Sequence, residues 1–177
     1  MYLSERIAYR AIELINQQIA DGIDIDGKKY KYSESPFLMP YSSKVVAKFG
    51  KDKKGKLYNI INKNGKRWLI ITKGYKSYRE AFNRATDSDF LQWTGNLLSS
   101  IDIINSDSDS AEIGFTNQKA AQIAYYLNVS GAGRGRKLWK FFGLTKENID
   151  KLMDLEQISE TEIKPIIDNL LNQVPIK

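Results

Sequence analysis

The chain has 177 residues, 42% hydrophobic and 27% charged, with a formal charge of +6 and neither histidine nor cysteine. At ~150 residues per domain this is one domain, or one with an appendage, long enough to bury roughly two thirds of its unfolded surface without covalent staples. The two absences exclude thiol nucleophiles, disulfides, Cys/His zinc sites, Ser-His-Asp triads and histidine general bases. Any chemistry would rest on carboxylates, Lys, Tyr or Ser, so an enzyme is the lesser reading.

Ser4 stands where it can cap a first helix. Ile7, Ala8, Ala11, Ile12, Ile15 and Ile19 then recur at a 3.6-residue period up to Asp21-Gly22, which predicts an amphipathic helix of about 17 residues. No run of ~18 apolar residues is present, so no membrane-spanning helix is expected. Glu5, Arg6, Arg10 and Glu13 do not suit the apolar centre of a signal peptide, so the chain is expected to fold in a cytoplasm. Asp26-Gly27, between Ile23/Ile25 and Tyr30/Tyr32, predicts a tight hairpin.

Pro36 and Pro40 bracket Phe37-Leu38-Met39 and argue against regular structure there. Residues 33–56 then read as one long basic loop ending in Lys51-Asp52-Lys53-Lys54-Gly55-Lys56, a candidate for ordering on assembly. The runs from Leu57 to Ile61 and from Trp68 to Thr72 flank Asn64-Gly65, a pair that suits a type I′ hairpin turn. Gly74 ends the second strand, and Tyr75, Tyr78 and Phe82 follow at helical spacing. Asp87 or Ser88 caps a further helical segment carrying Phe90, Leu91, Thr94, Leu97 and Leu98, weakened by Gly95.

Ile101 to Ile104 reads as a strand, Ser106 to Ser110 as its turn, and the alternation of Ala111, Ile113 and Phe115 as the returning strand. Asn117 caps a helix with Ala120, Ile123, Ala124 and Leu127 on one face. Val129 to Lys140 is a Gly- and Arg-rich loop. Thr145 caps the next helix, with Leu144 and Ile149 as a hydrophobic staple, and Ser159 with Glu162 forms a capping-box pattern near Pro165. The expected fold is α+β: a small antiparallel sheet from residues 57–72 and 101–116, packed with the N-terminal amphipathic helix and several short helices. Residues 1–155 form the main domain and 156–177 a C-terminal helical extension.

The charge is segregated. Residues 1–43 balance at −1, whereas residues 44–84 hold thirteen Lys and Arg against Asp52 and Glu80, a balance of +11. Residues 85–118 hold six acids and no base, residues 119–140 stand at +5, and residues 141–177 at −3. Such blocks contact phosphate, pair with opposite blocks on a neighbouring subunit, or form ordinary solvated surface.

The run from Ser130 to Lys137 fails the Walker pattern, having no Gly-Lys-Ser/Thr, and follows a predicted helix where a dinucleotide fingerprint would follow a strand. It reads as a glycine-rich loop whose Arg134, Arg136 and Lys137, with Lys140, meet phosphate or an acidic neighbour, or merely solvent. Asp102, Asp107, Asp109 and Glu112 lack the glycine and distal glutamate of a calcium loop, and read as a polar hairpin turn with acids open to subunit contact. Tyr and Trp interleaved with Lys between Tyr58 and Tyr78 suit base stacking, but their spacing suits core packing better. No metal or cofactor is expected.

From Ile71 to Leu144, less than half of the chain, the order of motifs resembles the tail-completion or neck proteins of tailed bacteriophages, the virion morphogenesis family. The resemblance is carried by the run Thr72 to Arg79 (TKGYKSYR), then Leu91 to Ile101 (LQWTGNLLSSI) and Glu112 to Thr116 (EIGFT). Lys119 to Ala124 (KAAQIA), Gly133 to Arg136 (GRGR) and Lys140 to Thr145 (KFFGLT) complete it. The chain departs from the family at Leu127-Asn128-Val129, where His or Gln is common, and at Lys140, where Arg is frequent.

The resemblance implies a structural, non-enzymatic virion protein, made in the bacterial host cytoplasm and built into the neck. There, as a head-tail connector or tail-completion protein, it would form a ring of twelve or six identical copies, touching the portal protein and adjacent neck or tail rings. Genomic DNA would pass through the ring, and no membrane would be involved. Lys51, Lys53, Lys54 and Lys56, with the loop at 130–140, would then face the channel or a neighbour, and the acids of 102–112 would meet a neighbour's basic segment. Two rivals stay open: a sequence-nonspecific DNA-binding module using 44–84 and 130–140, and an enzyme built on carboxylates.

Overall fold

The computed structural model describes residues 2–86, 95–131, 138–159 and 161. The helices are α1 (Leu3–Ala20), α2 (Ser43–Phe49), α3 (Gly74–Ala81), α4 (Gln118–Tyr125) and α5 (Lys146–Glu156). The strands are β1 (Phe37–Pro40), β2 (Tyr58–Lys63), β3 (Lys66–Ile71), β4 (Ile101–Ser106) and β5 (Ala111–Phe115). The fold class is α+β. The chain divides into two compact units, Lys31–Ser88 and the remainder, Met1–Tyr30 with Asp89–Lys177, at positions that composition does not mark. The helix expected after Asp87 or Ser88 begins outside the described residues, as does most of the extension from 156.

In the larger unit, α1 buries Ile7, Ala8, Ala11, Ile15 and Ile19, as their period dictates, and packs on the β4–β5 hairpin and on α5. Its start differs from expectation. Tyr2 is the cap position, because Glu5 lies three residues on and its carboxylate accepts the Tyr2 N–H at 3.0 Å. Ser4 therefore sits inside the helix, buried, where its hydroxyl donates to the Asp107 carbonyl at 2.6 Å. The caps at Asn117 and Thr145 stand where expected: Asn117 Oδ1 accepts N–H groups of Lys119 and Ala120, and Thr145 Oγ1 accepts that of Asn148. Asp87 and Ser88, and Glu162 of the Ser159 capping box, fall outside the described residues. Trp139, Phe141, Phe142 and Leu144 are buried, with Trp139 stacked on Tyr30 at 4.7 Å and Phe142 4.9 Å from Phe115. At Asp26-Gly27 the chain turns, with Gly27 at φ +75°, but in place of the expected tight hairpin there is one antiparallel bridge, between Ile23 and Lys29.

The smaller unit is built on the β2–β3 hairpin. Lys63 pairs with Lys66 across Asn64 (φ 52°) and Gly65 (φ 71°), the two positive φ values a type I′ turn requires. β1 adds antiparallel to the other side of β3, giving the order β1-β3-β2. This corrects two expectations. Residues 33–56 are not one loop: they contain β1, α2 and a 3-10 turn at Lys51–Lys53. Pro36 and Pro40 do not prevent a strand, because β1 lies at the sheet edge, where a missing N–H is tolerated. α2 forms because Ser42 caps it and Val45 and Phe49, four residues apart, share a buried face.

The single expected sheet is also two. β1 occupies the edge of β3 that β2 leaves open, and β4 with β5 forms a separate two-stranded sheet.

Candidate functional site

The three-stranded sheet has two unlike faces. Register places Phe37, Met39, Tyr58, Ile60, Leu69 and Ile71 on one face, where α2 supplies Val45 and Phe49, α3 supplies Tyr78, and Phe82 just beyond α3 joins them in a shared core. The opposite face carries Leu38, Pro40, Asn59, Ile61, Trp68 and Ile70, with Lys63 and Lys66 at its turn end. Leu38 is 44% exposed. An open concavity of about 510 Å³ lies there, lined by Leu38, Lys63, Asn64, Lys66 and Trp68.

The sequence reading missed this apolar face. Its signal was present: Leu57-Tyr58, Ile60-Ile61 and Trp68 to Ile71 place apolar residues at successive positions, broken only by Asn59 in the first strand, so both faces of the hairpin carry apolar side chains, as in strands covered on both sides. Of the aromatic residues weighed for base stacking, Tyr58 is buried and Tyr75 and Tyr78 belong to a ring cluster with Phe37, whereas Trp68 lies on the uncovered face.

The basic residues of this unit divide by partner. Lys51 and Lys53 lie on the 3-10 turn, and Lys54 and Lys56 follow it; all four are exposed. The turn is held by the main chain, with the Leu57 N–H donating to the Lys53 carbonyl at 2.9 Å and the Gly55 N–H to that of Tyr58 at 2.8 Å. Lys53 Nζ is 3.0 Å from Asp52 Oδ2, and its hydrogen bond holds the Asp52 carboxyl below its usual range. Lys76 lies 3.6 Å from Glu34, and Arg67 stacks 3.9 Å over the Tyr41 ring. Lys51, Lys54, Lys56, Lys63 and Lys66 have no carboxylate within 4.0 Å among the described residues.

Arg79, by contrast, is no part of a surface. It is 2% exposed, with its guanidinium 4.6 Å over the Tyr32 ring and its Nε–H donating to the Ala85 carbonyl at 2.9 Å. In the larger unit, Lys140 Nζ lies 3.3 Å from Asp26 Oδ2, so this cation already has an intramolecular carboxylate. Arg134, Arg136 and Lys137 lie outside the described residues.

The acidic candidates also separate. Asp107 builds its turn: Oδ1 accepts the N–H groups of Asp109 at 2.9 Å and Ser110 at 2.7 Å, and Oδ2 accepts the Ser110 hydroxyl at 3.0 Å. These bonds, the Asp109 N–H first, hold its carboxyl below the ordinary value. Asp109 is exposed in the same turn. Asp102 and Glu112 share the β4–β5 face opposite buried Ala111 and Ile113, as the pairings Asp102 with Gly114 and Asn105 with Glu112 require.

Between these two acids stands Ile104, 41% exposed at the bulge and laid over Gly114, where a Cβ would come within 2.7 Å of Ile104 Cδ1. Neither Asp102 nor Glu112 has a cation within 4.0 Å among the described residues.

Two surfaces result. One is apolar with a cationic end and the other is acidic around an isoleucine, an arrangement chemically suited to docking. Compared with family models, curated proteins and solved structures, the chain matches none. Among the described residues no helix is long and apolar enough to cross a membrane, and no three His, Cys, Asp or Glu residues cluster to hold a metal.

Proposed function

We propose that the chain is a structural virion protein of the phage neck, forming a ring of identical subunits that joins the portal-bearing head to the tail around the DNA channel. The motif series from Ile71 to Leu144 supports this reading. The observation that carries it is a pair of surfaces of opposite charge: Lys51, Lys54, Lys56, Lys63 and Lys66 in one unit have no carboxylate within 4.0 Å among the described residues, and Asp102 and Glu112 in the other have no cation within that distance. A chain bearing both halves of a complementary contact is suited to head-to-tail association, which closes as a ring when its rotation permits.

In this reading the exposed lysines of the 51–56 turn contact a neighbour or the DNA backbone, without reading sequence. The partners are the portal protein and adjoining neck or tail rings. The test is native mass measurement and electron microscopy of the purified protein, alone and with portal. Rings are expected, and a strictly monomeric protein that never enters virions overturns the reading. The same exposed lysines favour a second reading, a sequence-nonspecific DNA-binding module. It requires duplex binding by the isolated chain, falling steeply with salt.

A further inference from the structure

We propose that the uncovered face of the β1-β3-β2 sheet is the seat for the Ile104 face of the β4–β5 hairpin of a second copy. This rests on the ring reading and names the surfaces that meet.

Three observations converge on it. First, Leu38, Ile61, Trp68 and Ile70, with Pro40 and Asn59 beside them, lie on one face of a sheet whose helices both pack on the other face, and a concavity of about 510 Å³ opens at its turn end between Leu38, Trp68 and the two lysines. Leu38, Ile61 and Ile70 are aliphatic, and Trp68 is the one aromatic ring among them. A nucleic acid calls for stacking aromatic residues and cations that track its backbone, whereas an aliphatic floor suits a protein side chain.

Second, Lys63 and Lys66 are directly opposite across the hairpin, an unfavourable like-charge pair with no carboxylate within 4.0 Å among the described residues. A carboxylate arriving from outside relieves that repulsion. Third, the segment 85–118 supplies acids without any base, and Asp102 and Glu112 flank an exposed isoleucine. Ile104 gives the apolar knob and the two acids give the counter-charges for Lys63 and Lys66. The two faces differ, so the contact is heterologous, and each copy offers one of each.

The experiment mixes two charge-reversed chains. Lys63→Glu/Lys66→Glu and Asp102→Lys/Glu112→Lys are each expected to weaken self-association at least about tenfold in sedimentation or native mass spectrometry. Mixed together they restore it, because each reversed face then meets an opposite one. Ile104→Asp, also at an exposed position, is expected to weaken association similarly.

A second measurement uses the absence of native cysteine. Leu38→Cys chains mixed with Ile104→Cys chains, and incorporated into particles with portal, are expected to yield a crosslinked dimer. Variants that associate like the wild type, or particles without that crosslink, overturn this interface and leave the ring intact. A wild-type chain that stays monomeric and never enters particles overturns the ring reading itself. If Lys63→Glu/Lys66→Glu abolishes duplex binding but not self-association, the face belongs to nucleic acid and the proposal is wrong.

Discussion

The Gln18 side chain on α1 and the Thr145 backbone at the start of α5 are joined by a hydrogen bond of 3.0 Å, in which the amide oxygen accepts the Thr145 N–H. The same oxygen accepts Asn148 Nδ2 at 3.0 Å, while Gln18 Nε2 donates to the Gly143 carbonyl at 3.2 Å. Gln18 is 3% exposed, so these groups have little water to fall back on. Gln18→Leu is expected to lower stability by about 2–4 kcal/mol, because it strands several partners at once. Urea denaturation measures this, and an unchanged midpoint would contradict it.

Gly74 opens α3 at φ +72°, and a Cβ there would lie 2.3 Å from the Ser33 carbonyl oxygen. The backbone atoms it meets have little room to move. Gly74→Ala is expected to cost roughly 3 kcal/mol or more, combining left-handed strain with a main-chain clash. Thermal unfolding and limited proteolysis within residues 31–86 are the measurements. Gly55→Ala (φ +83°), with nothing within 4 Å, is the control and is expected to lose only about 1–2 kcal/mol.

Arg79 belongs to the +11 segment but serves the core of its unit. Arg79→Lys preserves the charge yet loses the planar group that both stacks on Tyr32 and reaches the Ala85 carbonyl. A loss of about 1–2 kcal/mol is expected. Lys51→Ala, at an exposed position, is expected to change stability by less than about 0.5 kcal/mol. Equal denaturation midpoints for the two variants would refute the distinction.

The hairpin turn at Asp107 makes stability depend on acid. Hydrogen bonds from Asp109 and Ser110 depress the folded-state pKa of Asp107, and the Ser106 hydroxyl and then the Tyr2 N–H depress that of Glu5. Both groups contribute stability above their ordinary values of about 4, and that contribution is lost as pH falls through the lower folded values. Asp107→Asn keeps the acceptor oxygen but cannot titrate. Its unfolding midpoint is expected to fall less steeply than the wild type's between about pH 4 and pH 2. Parallel acid limbs would remove Asp107 from this role.

Local chemistry made much of the fold legible. Two positive φ values at Asn64-Gly65, the caps at Asn117 and Thr145, the α1 stripe and the alternation in β5 each depend on residues a few positions apart. The exposure of Lys51, Lys53, Lys54 and Lys56 followed equally from a dense, flexible-stemmed charge run. The apolar seat was harder to see. An apolar run does not say which face a helix will cover, and the decisive neighbours, Val45 and Phe49, come from a segment read as loop.

Sequence by itself therefore determined the α+β class, the hairpins, most helix starts and the segregation of charge, because short-range spacing and backbone preference decide those. Tertiary structure alone decided that Phe37–Pro40 joins β3, since a proline's missing N–H is harmless only once the strand lies at an edge. It decided that Ser4 bonds Asp107, 103 residues away, instead of capping α1, and that Lys140 is spent on Asp26. It also left Leu38 and Ile104 exposed. Partners far apart in the chain compete for each polar group and each sheet edge, and only the folded arrangement settles which of them arrives.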